Sequence, residues 1–458
     1  MKKNIEQFKN LFRSLIVVVL VLAQIVVFAY IWTKFYNEDI AIPFVQKGNW
    51  FFYLVYAILS LLFIKLYDGT KYGTYRVGNI ITAQILALFT TAFIVYLQIV
   101  LLTLRFVSLW PILIMLAADV MLIVIFAFLI DYLMKKLFPS RKTVLFWDIY
   151  PPDTFIAKLK TRKDKFSLDK IINVSDGMEK IEDAVKNSQA VVVYDVHSEN
   201  RNKILKFCYE YNVRCYTTTK VSDILVRGAE SLHMFDTPLL LYRNSGLTFE
   251  QRFLKRTLDI VVSSIMLVLT SPILLISAAA IKLCDGGPVF FRQARGTKDN
   301  KIFYIHKFRS MIVDAEKDGA PRPAEKDDDR ITSVGKVLRA TRLDELPQLI
   351  DILIGHMSLV GPRPERIEHI KQYTEEISEF SYRLKIRGGL TGYAQLYGKY
   401  NTTPYDKLQL DLMYIQNYSI LLDIKLILLT LKIMFTKEST EGFTEEDSKK
   451  INEKSKND

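Results

Sequence analysis

Residues 257–281 read TLDIVVSSIMLVLTSPILLISAAAI, an apolar run long enough to cross a bilayer. Basic residues flank the run on both sides, and Ser271 and Pro272 lie near its middle. Proline removes a backbone donor and clashes with the preceding turn, while a serine hydroxyl can bond to the carbonyl that is freed. The pattern predicts a broken helix that enters and leaves the membrane on the same face. The alternative is a proline-kinked span that would place residues 282–458 on the opposite side.

Four further apolar runs fill the first third of the chain: Ser14 to Trp32, Phe51 to Leu66, Asn79 to Leu104, and Pro111 to Met134. Most of them reach or approach the ~18 residues that a membrane-spanning helix needs. Basic residues precede the first run, separate the second from the third, and follow the fourth, whereas the other two loops are less basic. The positive-inside rule therefore predicts four transmembrane helices within residues 1–136, with both ends in the cytoplasm.

The bulk composition agrees with a membrane protein of two or three units. The chain has 458 residues, of which 50% are hydrophobic and 24% charged, and its net charge is +12. Such a basic protein favours anionic partners, and the apolar segments favour lipid and phosphate over nucleic acid. The three cysteines lack metal-ligand spacing, which indicates reduced thiols.

Short apolar runs alternate with helical patterns between residues 141 and 243. The predicted strands are Thr143 to Trp147, Lys170 to Val174, Ala190 to Tyr194, Arg214 to Thr217, and Leu239 to Tyr242. The predicted helices between them are Asp153 to Thr161, Met178 to Lys186, and Asn200 to Tyr211. This βαβ pattern predicts a mostly parallel, Rossmann-like sheet. The first strand-to-helix turn, 147–152, has no glycine fingerprint, which favours a structural or regulatory role over dinucleotide binding.

A dense series of basic and acidic motifs follows the 257–281 run. The motifs are GPVFFRQ at 287–293, FYIHKFRSM at 303–311, LRATRLDELPQ at 338–348, VGPRP at 360–364, and RGGLTGY at 387–393. Thr341 precedes Asp344 at the spacing of a capping box, so Asp344 and Glu345 are predicted to begin a helix that runs to Ile354. Acids that merely complement a helix dipole would explain this pair but not the arginines around it. An ionised carboxylate can attack phosphorus, and its neighbour can help to hold a divalent metal.

The arginines are weaker signals when each is taken alone. Pro362 and Pro364 fix the backbone on both sides of Arg363 and would pre-orient its guanidinium for a phosphate, although an ordinary turn has the same pattern. Arg339 and Arg387 could each pair with a surface acid. The run at 420–435 is predicted either as an interfacial helix or as a buried core helix.

The stretch from Phe253 to about Lys432 resembles the bacterial sugar transferases known as polyprenyl-phosphate hexose-1-phosphate transferases. Together with the preceding spans and α/β module, it resembles their large branch, the undecaprenyl-phosphate galactose or glucose phosphotransferases. The resemblance implies transfer of a hexose-1-phosphate from a UDP-hexose to undecaprenyl phosphate, with release of UMP and with Mg²⁺ as cofactor. This would be the first membrane step of exopolysaccharide, capsule or O-antigen synthesis. The need for cytosolic nucleotides is the main reason to favour a re-entrant helix at 257–281.

The resemblance also implies roles for individual residues. Asp344 would be the nucleophile that carries a covalent phospho-sugar intermediate, and Glu345 would assist in orientation and, with Asp344, in binding Mg²⁺. The residues implied or predicted to bind substrate are Arg339, Pro362, Arg363, Pro364, Arg387 and Lys399. Lys399 stands where the family often has an arginine, and a lysine cannot make a bidentate fork with a phosphate. Ser271 and Pro272 match the break of the re-entrant helix.

The prediction for the whole chain is a membrane protein of α-helical plus α/β class. It comprises a four-helix transmembrane bundle over 1–136, a Rossmann-like cytoplasmic module over 141–243, a monotopic catalytic domain with a re-entrant helix over 250–436, and a disordered tail over 437–458. We expect a multi-pass protein of the bacterial inner membrane, with its catalytic domain on the cytoplasmic face. The expected partners are UDP-hexose, undecaprenyl phosphate and membrane lipid, with no nucleic acid, and homo-oligomerisation is left open.

Three other classes of protein remain as alternatives. A transporter or flippase would fit the four spans, but the spans lack paired intramembrane charges. A membrane-tethered regulator would explain the α/β module but leave the arginines and carboxylates without a use. A glycosyltransferase would transfer the sugar without its phosphate, and it would release UDP rather than UMP.

Overall fold

A computed structural model describes residues 8–40, 42–242, 246–313, 315, 328–398 and 402–434. Its contacts form two compact units. The first contains the residues before Thr219, and the second comprises Thr219–Thr430. Lys399 and the predicted tail at 437–458 lie outside the described residues.

Four long apolar helices open the first unit. They are α1 (Lys9–Ile31), α2 (Lys47–Leu66), α3 (Val77–Thr103) and α4 (Trp110–Leu137). Each is long and apolar enough to cross a membrane, as is one later helix of the described chain. Helix α1 packs against α2 and α4, and α3 packs against the same two helices. Buried aromatic side chains such as Phe28, Trp32 and Tyr56 fill the space between them. The four predicted apolar segments are therefore confirmed as helices.

The first unit continues into a parallel sheet. Its strands are β1 (Arg141–Trp147), β2 (Phe166–Asn173), β3 (Ala190–Tyr194) and β4 (Arg214–Thr217), in the order β2-β1-β3-β4. The connecting helices are α5 (Asp153–Lys160), α6 (Met178–Lys186) and α7 (Ser198–Glu210). Val144 and Val191 are buried on one face and Leu145 and Val192 on the other, because both faces of a parallel sheet are covered. The predicted α/β module is confirmed in its first four strands and three helices.

The fifth predicted strand does not join this sheet. Helix α8 (Val221–Arg227) follows β4, and then β5 (Glu230–Met234) and β6 (Thr237–Leu241) form a separate antiparallel hairpin. Phe235, at the turn of this hairpin, has a φ of 55°. The prediction that Leu239 to Tyr242 extends the parallel sheet is therefore wrong. A tight turn pairs this segment with its immediate neighbour in sequence instead.

The second unit combines helices with three two-stranded sheets, one of which is the β5–β6 hairpin. Its remaining elements are α9 (Phe249–Asp285), β7 (Phe290–Gly296), β8 (Ile302–Phe308), α10 (Ser333–Ala340), α11 (Gln348–Ile354), β9 (Ser358–Val360), α12 (Ile367–Glu376), β10 (Gly389–Thr391), α13 (Tyr393–Tyr397), α14 (Pro404–Gln416) and α15 (Ile420–Met434). Strands β7 and β8 pair antiparallel, and β9 and β10 pair parallel. Leu426 and Leu429 of α15 are buried in the core of this unit, which favours the core-helix alternative for that segment.

Helix α9 is continuous across Ser271 and Pro272, so the described structure shows one helix where two were predicted. Proline 272 has no N–H to donate to the carbonyl oxygen of Val268, four residues earlier. The Ser271 hydroxyl donates to that carbonyl oxygen at 2.8 Å. The serine therefore compensates locally for the missing backbone hydrogen bond, and the helical conformation persists through the proline.

Candidate active site

A short turn presents the two adjacent acids. Helix α10 ends at Ala340, and the Thr341 hydroxyl donates to the carbonyl oxygen of Val337 at 2.7 Å. Arg342 then adopts left-handed backbone angles, with φ 56° and ψ 20°. Such a conformation is unfavourable for a residue with a Cβ and is typical of functional sites. It reverses the chain into a 3₁₀ turn at Leu343–Glu345.

The predicted capping box at Thr341 is therefore wrong. The Thr341 side chain completes the preceding helix, and the two acids lie in a single turn before α11 begins at Gln348. A threonine hydroxyl can bond to the carbonyls of the turn behind it as well as to the amides ahead of it. Here the first arrangement is the one that forms.

Glu345 is held by two cations. The Lys307 ammonium and the Arg363 guanidinium each donate to Glu345 Oε1 at 2.9 Å. The Glu345 side chain is only 15% exposed. Burial opposes its ionisation, but the positive charges of Arg363 and Lys307 outweigh that effect and hold the pKa of Glu345 well below its ordinary value. Glu345 is therefore ionised at neutral pH and fixed in position.

Asp344 has a different environment. Burial, and then the negative charge of Glu345, raise its pKa, while Lys307 and Arg339 partly oppose that rise. No side-chain hydrogen bond to the Asp344 carboxylate is found within the described part of the chain. Two adjacent acids with divergent pKa values commonly mark divided chemical roles. Asp344 is the member of the pair that is left available for a reaction.

Both acids line a cavity of about 590 Å³, together with Arg339 and Arg363. A cavity of this size suits a small ligand. Sequence reasoning missed further cations in its lining, namely Arg295, Lys307, Arg309, Arg342 and Arg366. With seven basic side chains and two acidic ones, the lining carries a net positive charge. A phosphate-bearing ligand would offset that charge.

Arg295 has one buried N–H donor that meets no acceptor in the part of the chain that the structure describes. Its Nη1 donates to the carbonyl oxygen of Pro364 at 3.2 Å, and its Nη2 donates to Gln293 Oε1 at 2.6 Å. Its buried Nε has no hydrogen-bond partner among the described residues. Burial, followed by repulsion from Arg363, lowers the pKa of Arg295 to about 10. The guanidinium remains charged at neutral pH and is fixed by two of its three nitrogens.

Hydrogen bonds between β8 and α11 position Lys307. The backbone N–H of His306 donates to Asp351 Oδ2 at 2.8 Å, and His306 Nδ1 lies 2.7 Å from Asp351 Oδ1. Asp351 is fully buried. In β8 the buried residues Phe303 and Ile305 alternate with exposed ones. Lys307 is two residues after Ile305, so its side chain lies on the same inward face of the strand. A lysine at an inward position of a strand is the sequence signal that could have identified it.

The two prolines around Arg363 shape the backbone and do not line the cavity. The Pro362 carbonyl oxygen accepts from the N–H of Gly389 at 2.8 Å. A Cβ at Gly389 would lie 2.0 Å from the Gly361 nitrogen, so the two backbones touch. Behind them, the buried Arg383 donates to the carbonyl oxygen of Arg363 at 3.0 Å and to Asp411 Oδ2 at 2.8 Å. These contacts fix the direction in which the Arg363 side chain leaves the loop.

The structure brings together most, but not all, of the predicted site. Asp344, Glu345, Arg339 and Arg363 share one cavity. Arg387, by contrast, lines a different cavity, and its role in binding substrate stays a prediction. Arg387 lies two positions before β10, which begins at Gly389.

Comparison with known proteins places this site in a known context. A sequence model of the bacterial sugar transferase family matches residues 250–437. The chain is 44% identical over 210 residues to a UDP-glucose:undecaprenyl-phosphate glucose-1-phosphate transferase of Klebsiella pneumoniae, covering 45% of this chain and 43% of that protein. It is 41% identical over 191 residues to the transferase of the same name from Caulobacter vibrioides, covering 40% of this chain and 71% of that protein.

A third relative carries a different sugar in its name. It is the UDP-N-acetylgalactosamine-undecaprenyl-phosphate N-acetylgalactosaminephosphotransferase of Aeromonas hydrophila, 37% identical over 237 residues, which covers 51% of this chain and 55% of that protein. The matched stretch thus spans about half the length of the Klebsiella and Aeromonas relatives. Every residue of the cavity described above lies inside the family match.

Proposed function

Because the chain belongs to the bacterial sugar transferase family, we propose that it transfers a hexose-1-phosphate from a UDP-hexose to undecaprenyl phosphate and releases UMP. The names of the relatives describe this class of reaction, with glucose or N-acetylgalactosamine as the sugar. The observation that carries the proposal is the unequal pair of acids in a cationic cavity, where Glu345 is held by two cations and Asp344 is left available.

The proposed reaction consists of two displacements at the sugar-bearing phosphorus. In the first, an oxygen of the Asp344 carboxylate forms a bond to this phosphorus, and the bond to the UMP oxygen breaks. In the second, an oxygen of undecaprenyl phosphate attacks the same phosphorus, and the acyl phosphate bond to Asp344 breaks. Asp344 is regenerated as a carboxylate, and undecaprenyl-diphosphate-sugar leaves.

The cations of the cavity stabilise the charge of the phosphoryl group in both steps. Arg363, Arg295 and Lys307 lie where they can offset the negative charge of the phosphoryl oxygens, and they are held in place before substrate arrives. Such pre-organised charge is commonly the largest contribution to phosphoryl transfer. Arg363 and Arg295 also offer planar guanidinium groups, which match the geometry of a phosphate.

Mg²⁺ is proposed as the cofactor, and the residues present fit its preferences. The described residues contain no cluster of three or more potential metal ligands. Mg²⁺ is commonly bound through only one or two carboxylates, with substrate phosphates and water completing its coordination. Asp344 and Glu345 would hold it. When bound, Mg²⁺ would neutralise diphosphate charge and favour departure of UMP.

We propose that α9 is the re-entrant membrane helix, and both of its ends support this. Near its start, Arg256 donates to the carbonyl oxygens of Ile352 and Leu353 at 2.6 and 2.7 Å. At its end, Asp285 is ion-paired with Arg309, and Ile281 packs in the same hydrophobic cluster as Phe308. Both ends thus contact one unit.

The surface of α9 agrees with this placement. A unit that holds both ends of α9 would lie on one face of the membrane. The middle of the helix exposes large apolar side chains such as Val268, Leu269 and Leu275, which lipid would cover.

The same proposal places helices α1–α4 across the bacterial inner membrane and the second unit on the cytoplasmic side. Labelling of cysteines with an impermeant maleimide tests it. Cys284 at the end of α9 is exposed, and a Phe249→Cys substitution supplies a site at its start, in a chain with Cys208→Ala and Cys215→Ala. We expect both sites to be protected in intact cells and both to react in inverted vesicles. Reaction of the two sites from opposite sides would show a full span.

The transfer reaction is tested by nucleotide release. Purified chain, Mg²⁺ and undecaprenyl phosphate are incubated with a panel of UDP-hexoses, including N-acetylated ones. We expect UMP to appear only when the lipid and one donor sugar are both present. Release of UDP instead would indicate a glycosyltransferase. If neither nucleotide appears with folded protein, the regulator alternative gains support.

A further inference from the structure

A second cavity, of about 270 Å³, lies against the first turns of α9, and no residue of its lining is shared with the catalytic cavity. It is strongly basic. Its cationic side chains are Arg252, Lys255, Arg256, Lys298, Lys385 and Arg387. The acidic residue among its lining is Asp259. The two displacements described above use no residue of this cavity.

Half of these cations already have an acidic or carbonyl partner. Lys255 Nζ donates to Asp423 Oδ2 at 2.6 Å and to the Tyr414 hydroxyl at 3.0 Å. Arg256 is bound to the carbonyl oxygens at the end of α11. Lys298 lies 3.5 Å from the neighbouring, exposed Asp299. The contacts of Lys255 and Arg256 fix the wall of the cavity.

The other three cations line the cavity and have no carboxylate partner among the described residues. Arg252, Lys385 and Arg387 form no ion pair within the described residues. Like charges crowded around a small space repel each other, and an anion between them would offset that repulsion. A phosphate is the common anion that takes several arginine and lysine donors at once.

Asp259 adds a second requirement for the ligand. Its side chain is buried, and its Oδ1 accepts from the Ser358 hydroxyl at 3.0 Å and from the Leu359 N–H at 2.9 Å. Its Oδ2 has no hydrogen-bond partner among the described residues, although the residue lines the cavity. A buried acceptor without a donor is costly. A fitting ligand would therefore carry a hydrogen-bond donor as well as an anionic group.

The surroundings of the cavity point to the membrane as the source of this ligand. Phe249 and Phe253 line it and are 70% and 63% exposed. Exposed apolar side chains next to arginine and lysine fit a surface that meets the bilayer, where basic residues attract anionic headgroups. The apolar, exposed part of α9 begins directly after them, with Ile260 and Val261.

We propose that this cavity binds the headgroup of an anionic glycerophospholipid, with the phosphate diester among Arg252, Lys385 and Arg387. A headgroup hydroxyl donates to Asp259 Oδ2. Phosphatidylglycerol has both groups, whereas phosphatidylcholine has the phosphate but no donor. The proposal rests on the membrane placement of α9 and does not require the transfer reaction. A lipid bound here would hold the start of α9 at the membrane surface.

Native mass spectrometry of the full chain, released from nanodiscs, tests the proposal. Nanodiscs of mixed phosphatidylglycerol and phosphatidylcholine are used for the wild type and for the double variant Arg252→Gln/Lys385→Gln. The matched control is Lys336→Gln/Lys371→Gln, which removes two exposed lysines that line neither cavity. We expect wild type and control to retain one phosphatidylglycerol, and the double variant to retain about tenfold less.

Several outcomes would overturn the proposal. Equal retention of phosphatidylglycerol by the double variant would show that the lipid binds elsewhere. Equal retention of phosphatidylcholine by the wild type would remove the role of Asp259 as an acceptor. Displacement of the lipid by millimolar inorganic phosphate would show that the site takes free phosphate. UMP release is measured on the same samples, so a failure of the transferase proposal is recognised separately.

Discussion

Replacing Lys307 by methionine tests whether the arrangement of the two acids governs the reaction. The Lys307 ammonium donates to Glu345 Oε1 at 2.9 Å, and the two side chains are only 17% and 15% exposed. A hydrogen bond to a charged group contributes about 1.5–3 kcal/mol. Since about 1.4 kcal/mol corresponds to a tenfold change in rate, Lys307→Met should lower kcat/KM roughly 10- to 150-fold. Arg363 would still hold Glu345, so the loss should not be complete.

The pH dependence gives a sharper test than the rate alone. Lys307 lowers the pKa of Asp344, and Glu345 raises it. The attacking group is the carboxylate, so activity falls as pH drops through the pKa of Asp344. Lys307→Met removes a favourable charge and should move this acid limb to higher pH. Glu345→Gln removes an unfavourable charge and should move it to lower pH.

The measurement is kcat/KM for UMP release across the pH range, on matched preparations in the same lipid. Lys336→Met serves as the control, because Lys336 is exposed on the same unit and does not line the cavity. We expect the control to follow the wild type in both rate and acid limb. A Lys307→Met enzyme with wild-type kcat/KM, or acid limbs that move in the same direction in both variants, would refute the electrostatic account of this pair.

Three further substitutions have defined outcomes. Asp344→Asn should abolish UMP release and yet raise the thermal midpoint at neutral pH. Because the pKa of Asp344 is higher in the folded than in the unfolded chain, the stability that this carboxyl contributes is present below its unfolded pKa and is lost as the pH rises through its folded pKa. A lower midpoint for the variant would contradict this. Arg363→Ala should weaken use of the UDP-sugar, measured as a rise in KM, by more than Arg227→Ala, a control at an exposed arginine that lines neither cavity. Arg383→Met breaks a buried ion pair with Asp411 and should cost about 3–5 kcal/mol of stability in a denaturant titration, and an unchanged midpoint would show that the pair contributes nothing.

Local patterns in the sequence were sufficient for most secondary structure. The helix Met178–Lys186 and the strand Ala190–Tyr194 lie where periodicity predicted them. The hairpin at β5 and β6 was missed because the apolar run 239–242 fits either a parallel or an antiparallel partner. Only the turn at Phe235 decides between them, and no glycine or asparagine marks it. Strand pairing depends on such tertiary choices more than strand existence does.

The sequence was sufficient to predict both acids of the site but only some of its cations. The Asp344–Glu345 pair and the arginine between two prolines stand out in the sequence. Lys307 comes into the site because β8 pairs with β7 and carries an inward-facing lysine against the turn at Glu345. Arg387 lies in a basic motif of similar appearance but lines the other cavity. Motif density identifies a functional region, whereas the face on which each side chain lies is determined by packing.

The adjacent acids are useful together because they are unequal. If Glu345 lacked Lys307 and Arg363, the two carboxylates would share one proton over a range of pH, and neither would be fully ionised in that range. Burial raises the pKa of Asp344, and the negative charge of the ionised Glu345 raises it further. A more basic carboxylate is a better nucleophile toward phosphorus, provided that it remains ionised at the working pH. The positive lining of the cavity helps to keep it ionised, so the same cations that attract a diphosphate also limit how far the pKa of Asp344 can rise.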